Sequence, residues 1–304
     1  MAQDDKTELK EILKEVRRIE VQSSRLVTGV MAGGYRSVFR GAGIEFHDVR
    51  EYVPGDDPRT VDWNVTARVG RPFVKKYIDE RELTLLFLLD LSASMSGGYG
   101  IWSARQMAAR ICACLALSAV KNNDRVGLVA FSDEVDKFVP PEKGAAHALR
   151  IVRDCLALQP RSERTRLASG LEFAAKAVRR RTTLFLVSDF LATGYQDQMA
   201  RCARRHDVIA VRLSGPELAP PSAGMLRMRD PESGQVHVVD WGNAALRRTY
   251  AERVARWRQE TEATLRKTGV DLMEVPIPRR FEKDAVAFPI LRFFRMREQR
   301  AAKR

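Results

Sequence analysis

Two aspartates and several hydroxyl side chains directly follow apolar runs, where they could bind a metal ion. Residues 83–98 have the sequence LTLLFLLDLSASMSGG, in which the apolar run ends at Asp90, Ser92 and Ser94. The run TTLFLVSDF stays apolar until a serine and Asp189. Because an unpaired buried carboxylate is unfavourable, packing alone does not explain two such strand ends. Carboxylate and hydroxyl oxygens together suit one hard cation such as Mg2+, so the sequence predicts a metal site.

Each apolar run predicts a strand that is buried on both faces and positions its polar end. An unbroken apolar stretch of about eight residues is typical of a parallel sheet covered by helices. Ligands of such sheets bind beyond the carboxyl ends of the strands, so both aspartates would lie at one edge. Further strands are predicted at 125–131, 137–140, 207–213 and 270–277, with helical patterns at 103–120, 145–158, 167–180, 196–206, 243–267 and 285–303. This alternation predicts an α/β fold with a mostly parallel, helix-covered sheet.

The chain is expected to divide into a core and a smaller N-terminal module. Residues 1–80 would form that module, with an amphipathic helix over 7–29 and a small strand-containing part. Its glycine-rich loop lacks the Gly-Lys-Ser/Thr of a phosphate loop, so we expect no bound nucleotide. Residues 81–215 would form the core, which 243–304 complete. Between them, 216–242 predict an inserted hairpin that packs with the N-terminal module.

Charged side chains crowd a short predicted helix in the N-terminal module. The helix would begin with an aspartate as its N-cap and a proline at its first position. We interpret the charges as an internal network of ion pairs that ties the module to its neighbour, and direct contact with a partner is the alternative. The residues concerned are Asp56, Asp57, Arg59, Asp62 and Arg68.

Composition and charge restrict the class of protein. The 304 residues contain no apolar run of about 18 residues, which a membrane helix needs, and the charged N-terminus does not resemble a signal peptide. Four cysteines without the usual spacing of zinc ligands predict buried thiols in a reducing compartment, so we expect a cytoplasmic protein. The net charge of +13 favours an acidic partner, either a protein, a nucleic acid or an anionic lipid surface.

One more hydroxyl completes a pattern that is known from a protein family. The loop SERTRL supplies Thr165 just before a predicted helix. A similar set of residues forms the metal-ion-dependent adhesion site of von Willebrand factor A domains, and this chain resembles it in Asp90, Ser92, Ser94, Thr165 and Asp189. The domains of that family have a doubly wound sheet. The resemblance implies that the serines and the threonine contact Mg2+ or Mn2+ directly or nearly so, and that the aspartates act partly through waters. It also implies that a partner's carboxylate takes the sixth position.

A longer resemblance concerns the run from Gly41 to Met95. It looks like the bacterial domain-of-unknown-function-58 family, which couples such an N-terminal segment to a von Willebrand A-like domain, and the resemblance covers essentially the whole chain. Members tend to be encoded beside MoxR-type AAA+ ATPases, which implies an adaptor for such an ATPase. The function that we expect is therefore a metal-dependent protein–protein interaction module without enzymatic activity.

Three alternatives to this interpretation remain open. Ser92 and Ser94 could merely cap the following turn while Asp90 bonds backbone amides. A Mg2+-dependent phosphohydrolase of haloacid-dehalogenase type also has an aspartate after its first strand, but it needs a second carboxylate where this chain has Ser92. The basic C-terminus, residues 279–304, could bind nucleic acid or a membrane surface. Its interleaved apolar side chains suit docking on the sheet equally well, and we favour docking.

Three arginines flank the threonine of the predicted metal site. Arg161, Arg164 and Arg166 surround Thr165 in the sequence and would lie at the rim of the site. There they would steer an acidic surface of a partner towards the metal. The alternative is a solvated loop that Glu163 partly neutralises.

Overall fold

The chain folds around one central β-sheet. The computed structural model describes residues 2–29, 45–78, 82–221, 224–232, 234–282 and 284–302. In chain order, the strands are β1 (Glu45–Glu51), β2 (Phe73–Ile78), β3 (Thr84–Asp90), β4 (Arg125–Phe131), β5 (Val135–Glu142), β6 (Thr183–Ser188), β7 (Asp207–Ser214), β8 (Met225–Arg229), β9 (Val236–Asp240) and β10 (Asp271–Pro276). The helices are α1 (Ala2–Gly29), α2 (Trp63–Val69), α3 (Ala93–Ser96), α4 (Ala104–Lys121), α5 (Ala145–Ala157), α6 (Leu167–Ala177), α7 (Gln196–Arg205), α8 (Ala244–Lys267) and α9 (Ala287–Ala302).

The central sheet has six strands in the order β10-β7-β6-β3-β4-β5. Neighbouring strands run parallel, except that β5 pairs antiparallel with β4 at the edge. The two strands that precede the aspartates, β3 and β6, pair directly. The edge strand β5 is longer than the predicted 137–140, because an edge position tolerates the two prolines that it contains. The α/β fold with a doubly wound, mostly parallel sheet is confirmed.

Helices cover both faces of the sheet. The buried side chains of α1, α4, α5 and α9 form one cluster on one face, and those of α6, α7 and the end of α8 form a second cluster on the other. Strand β3 lies between β6 and β4, and its side chains from Leu85 to Asp90 have no solvent-exposed surface. Burial on both faces explains why the sequence of β3 is apolar without alternation.

Helix α1 is longer than predicted and packs on the core. Its Ile19 and Val27 are buried among the side chains of α4 and α5, and Glu15 forms an ion pair with Arg110 of α4. The apolar stripe that predicted an amphipathic helix therefore packs against the helices α4 and α5 of the core. The division of the chain into the ranges 1–80, 81–215, 216–242 and 243–304 stays a prediction.

The charged N-terminal segment uses its acidic side chains locally. Asp57 caps a short 3-10 turn by accepting a hydrogen bond from the Arg59 amide, and Asp62 caps α2. Arg50 forms an ion pair with Asp56, with 2.6 Å between Nη2 and Oδ1. These contacts stabilise the segment itself, whereas we expected ion pairs that tie it to its neighbour.

Strands β8 and β9 form the predicted hairpin, in the register that pairs Met225 with Asp240. At its base, Trp241 is buried and packs edge-on against Tyr250 of α8, with 5.1 Å between the ring centroids. The described contacts of the hairpin therefore run to the core, whereas we expected packing with the N-terminal module. That packing stays a prediction.

The C-terminal helix α9 packs on the β10 side of the sheet, as we favoured. Ile290 and Phe294 are buried in the core cluster. The Arg297 guanidinium donates hydrogen bonds to both carboxylate oxygens of Asp207, at 2.6 and 2.9 Å, and to Asp271 at 2.8 Å. Part of the positive charge of the C-terminus is therefore neutralised inside the fold.

All four cysteines are buried and free, as predicted for structural thiols. Burial raises the pKa of the Cys114 and Cys202 thiols to about 11, so both are protonated at neutral pH. Across the described residues, none of the helices is long and apolar enough to cross a membrane.

Replacing Arg297 with methionine should lower the free energy of unfolding by about 2 kcal/mol, because Asp207 and Asp271 would lose charged hydrogen bonds. The exposed Arg295 on the same helix is the matched control, and its methionine variant should change stability by less than about 0.5 kcal/mol. Urea unfolding followed by circular dichroism measures both variants. Equal losses would show that the ion pairs of Arg297 do not hold α9.

Candidate metal centre

Backbone hydrogen bonds bring three loops together at the carboxyl edge of the sheet. The amide of Leu91, after β3, donates to Phe131 O at 2.7 Å, and the amide of Ala93 donates to Glu163 O at 3.2 Å. The Arg166 amide donates to the carbonyl oxygen of the residue after β4, at 3.0 Å. The loop that carries Thr165 is thereby fixed beside the ends of β3 and β4.

Asp90 lies at the end of the central strand and is fully buried. Its Oδ1 accepts a hydrogen bond from the Ser92 amide at 2.9 Å, and its Oδ2 accepts one from Ser188 Oγ at 2.7 Å. The hydroxyl oxygens of Ser92 and Ser94 lie 3.2 Å apart. Ser92 is the N-cap residue of α3 but makes no side-chain capping bond, which disfavours one half of the capping alternative. The bond from the Ser92 amide to Asp90 agrees with its other half.

The environment of Asp90 disfavours its charged form. Burial, and next the negative charge of Asp189, raise the pKa of Asp90 to about 7, while hydrogen bonds from Ser92 and Ser188 act in the opposite direction. Within the described part of the chain, Asp90 forms no ion pair with a basic side chain. A divalent cation would supply the missing positive charge, since buried charges are normally paired or bound to metals.

Asp189 lies in a tight turn immediately after β6. Its Oδ1 accepts a hydrogen bond from the Leu191 amide at 3.0 Å. The next residue, Phe190, has a positive φ of 62°, which is uncommon outside glycine and costs about 1 kcal/mol or more. The ring of Phe190 packs edge-on against Tyr195, and its carbonyl oxygen accepts from Trp257 Nε1 at 3.0 Å. These contacts stabilise Phe190 in this backbone conformation and so hold the turn after Asp189 in place.

Thr165 contacts a residue that we did not assign to the site. Its Oγ1 donates a hydrogen bond to Oε1 of Glu232 at 2.9 Å, and Glu232 lies at the turn of the β8–β9 hairpin. The sequence predicted this hairpin and its central Pro-Glu-Ser-Gly. The sequence did not indicate that the turn would contact Thr165. Glu232 and Thr165 are 67 positions apart, and local patterns do not show which distant segments meet.

Two further serines at strand ends also belong to this region. Ser188 bridges Asp90 Oδ2 and the Phe190 amide, which donates to Ser188 Oγ at 3.0 Å. Ser132, the residue after β4, is fully buried, and its hydroxyl has no hydrogen-bond partner among the described residues. The signal for both was their place at the end of an apolar strand, the same signal that identified Asp90 and Asp189.

The three arginines of the loop differ in their contacts. Arg166 forms an ion pair with Glu172 at 3.3 Å. Arg161 and Arg164 are exposed, and only their backbone amides have described hydrogen bonds, to Asp136 and Ser162 respectively. Their role in steering a partner stays a prediction.

The donor chemistry of this edge fits a hard cation. Among the described residues, no group of three or more His, Cys, Asp or Glu side chains could hold a metal, so carboxylates alone do not build the site. A cation would need hydroxyl oxygens as well, and the unpartnered Ser132 hydroxyl shows that oxygen is available there. The assignment of ligands to Asp90, Ser92, Ser94, Thr165 and Asp189 stays a prediction, and Mg2+ fits that donor set.

A six-stranded, mostly parallel sheet with this polar edge defines an α/β protein of von Willebrand A-like architecture. The chain belongs to the family described as "Protein of unknown function DUF58", whose model matches residues 48–260. This match confirms the family that the run from Gly41 to Met95 predicted. All of α1, the last turns of α8 and the segment after it lie outside the matched range.

An uncharacterized protein of Mycobacterium tuberculosis is 29% identical to this chain over 277 residues, which cover 90% of this chain and 87% of that protein. The crystal structure of the conserved hypothetical protein BatB from Bacteroides thetaiotaomicron aligns with 71% of this chain and 99% of its own, at 15% identity and a TM-score of 0.44. The SpRpn10 VWA domain aligns with 68% of this chain and 94% of its own, at 13% identity and a TM-score of 0.37. At such TM-scores these likenesses say nothing about what the chain binds.

Mg2+ should stabilise the protein against unfolding, and Asp90→Asn should abolish that effect. One bound ion raises the free energy of unfolding by about 2.7 kcal/mol when its free concentration is a hundred times Kd. In chelator at about pH 8, the variant should be at least as stable as the wild type, because a buried uncompensated carboxylate is unfavourable. Thermal unfolding with and without Mg2+ measures both effects.

Asp197→Asn, on the exposed surface of α7, removes the same charge and is the matched control. It should respond to Mg2+ as the wild type does. A variant of Asp90 that still gains stability from Mg2+ would place the ion elsewhere.

Proposed function

We propose that this chain is a non-catalytic interaction module that holds Mg2+ or Mn2+ at the carboxyl edge of its sheet and binds an acidic side chain of a partner protein. One observation carries the proposal: the fully buried Asp90 carboxylate, beside Asp189, has no described basic partner. A fold tolerates such a pair when a cation accompanies it. When bound, the ion would supply an open coordination position for a carboxylate oxygen.

The residue types at this edge support a binding role rather than reaction chemistry. Ser92 stands where a phosphohydrolase of haloacid-dehalogenase type needs a second carboxylate, and a hydroxyl of ordinary pKa is a poor general acid. Asp90 is held by the Ser92 amide and the Ser188 hydroxyl, so it is fixed in place. We therefore propose a protein without enzymatic activity.

We propose a MoxR-type AAA+ ATPase as the partner and the cytoplasm as the location. The choice of partner is supported by membership of the DUF58 family, because the resemblance to that family implies such an ATPase. The exposed Arg161 and Arg164, on the loop of Thr165, would attract an acidic surface and accelerate its association. Nucleic acid and membrane are not part of this proposal, because α9 directs Phe294 and Arg297 into the fold.

Asp90→Ala should abolish binding of the MoxR-type ATPase from the same organism while leaving the fold intact. The immobilised chain should retain the ATPase in Mg2+, and the variant should lose at least about tenfold in affinity, as expected for removing a partner's charged contact. A pull-down with purified proteins, followed by titration calorimetry, measures this loss. Circular dichroism checks the fold of the variant.

A comparison of the wild type in Mg2+ and in chelator does not decide the question, because chelation also removes Mg2+ from the nucleotide of an ATPase. The Asp90→Ala variant in Mg2+ is therefore the deciding arm, with Asp197→Asn as the matched control. Retention of the ATPase by a folded Asp90→Ala variant would refute metal-dependent binding. Failure of the wild type to bind it would refute this choice of partner.

A further inference from the structure

The strand β10 has one open side at the margin of the central sheet. It pairs with β7 on one side, and no described strand pairs with the other. The amide of Ile277, which follows β10, donates to Ser214 O at 2.8 Å and so points towards β7. Because successive residues of a strand direct their backbone groups to opposite sides, the amides and carbonyls of Leu272 and Glu274 point to the open side. Among the described residues, no hydrogen bond satisfies these backbone groups.

The opposite margin of the sheet is protected in a way that β10 is not. The strand β5 contains Pro140 and Pro141, and proline hinders the addition of a further strand because it has no amide hydrogen. In β10 only the last residue, Pro276, is a proline. The backbone groups of Leu272 and Glu274 are therefore able to pair with another extended chain.

The open side of β10 lies in a groove between two helices. The groove has a volume of about 500 Å3, and its lining includes Leu272 of β10, Arg258 of α8 and Met296 of α9. Leu272 packs with the core cluster of α6, α7 and α8, whereas Met273 belongs to the cluster on the α9 side. Residues from both faces of the sheet can line one groove where it passes along the sheet margin. A strand added about 4.8 Å from β10 would therefore run in this groove.

Positive and apolar side chains line the groove and its continuation. Arg258 and Arg292 line it from α8 and α9, and both are exposed without an ion pair to any described residue. An adjoining groove of about 500 Å3 on α9 continues from Arg292 to Arg295 and Phe288, whose side chain is 63% exposed. The two glutamates that line the first groove are bound by the buried Arg212. The uncompensated charge is therefore positive, which favours an acidic occupant.

We propose that β10 is a docking strand, to which an extended acidic segment of a partner protein adds in the groove between α8 and α9. Hydrogen bonds to the backbone of Leu272 and Glu274 hold the segment, because they satisfy groups that are otherwise unpaired. Alternate side chains of the segment face the two helices in turn, so one set meets Met296 and the next set meets Arg258.

An acidic segment of another protein suits this strand better than a second copy of the chain does. Pairing of two β10 strands would bring Arg258 and Arg292 of both copies together, and like charges across a strand pair are destabilising. Strand addition also needs no bound cation, so it is independent of metal-dependent binding at the carboxyl edge of the sheet.

The test uses the full chain and a synthetic peptide of about seven residues in which valine and glutamate alternate. Amide hydrogen exchange, resolved by NMR, should be fast at Leu272 and Glu274 in the free protein. Saturation with the peptide should slow exchange at both amides by about tenfold, as expected for new backbone hydrogen bonds. The Val275 amide, which faces β7, should be protected with and without peptide.

Two altered peptides separate strand pairing from attraction of charge. Methylation of every backbone amide keeps the side chains of the peptide but removes its donors, and it should weaken binding at least about tenfold. Lysine in place of glutamate should weaken binding by a similar factor, because Arg258 and Arg292 repel a positive peptide. Chelator should leave binding of the acidic peptide unchanged.

Arg292→Glu should lower the affinity for the acidic peptide by about tenfold. Arg179→Glu, at an exposed position after α6, makes the same charge change and should bind the peptide as the wild type does. Titration calorimetry measures these affinities, and circular dichroism checks that both variants are folded.

Four results would overturn the inference. The amides of Leu272 and Glu274 could already be protected in the free protein, or the acidic peptide could fail to bind at about 1 mM. Equal binding of the methylated peptide would leave only charge attraction, and loss of binding in chelator would place the peptide at the metal centre. A dimer of the chain that the peptide dissociates, measured by analytical ultracentrifugation, would assign β10 to a second copy and overturn the choice of an acidic partner.

Discussion

The buried carboxylate of Asp90 is the constraint on which the polar edge of this protein depends. The central strand β3 is covered on both faces, so Asp90, its last residue, is fully buried. The Ser92 amide and the Ser188 hydroxyl satisfy the two oxygens but leave the charge uncompensated. The pairing of β6 with β3 brings Ser188 and Asp189 to this position and adds a second negative charge.

The long helix α8 connects the inserted hairpin with the turn after Asp189. Tyr250 near the start of α8 supports Trp241 at the base of the hairpin, and Trp257 two turns later bonds the Phe190 carbonyl oxygen. The turn at Phe190, with its unfavourable φ, is therefore stabilised by α8, which also packs against the base of the hairpin. One helix therefore contacts both the base of the hairpin and the turn that follows Asp189.

The positive charge of the chain is partly an internal feature of the fold. Arg212 is almost fully buried, bonds Glu274 and Glu262, and lies 5.2 Å from the centre of the Trp257 ring. Arg297 is bound by two aspartates in a similar way. A net charge of +13 therefore does not by itself identify a nucleic-acid-binding surface, because some arginines serve packing.

The sequence alone determined the sheet, the helices and the residue types at the strand ends, because apolar runs and helical periods record which local segments are buried. It likewise predicted the hairpin from its turn residues. Only the tertiary structure decided that α1 packs on α4, that the Ser132 hydroxyl is buried without a described partner, and that Glu232 contacts Thr165. These contacts join residues far apart in the chain, and periodicity carries no information about which distant segments meet.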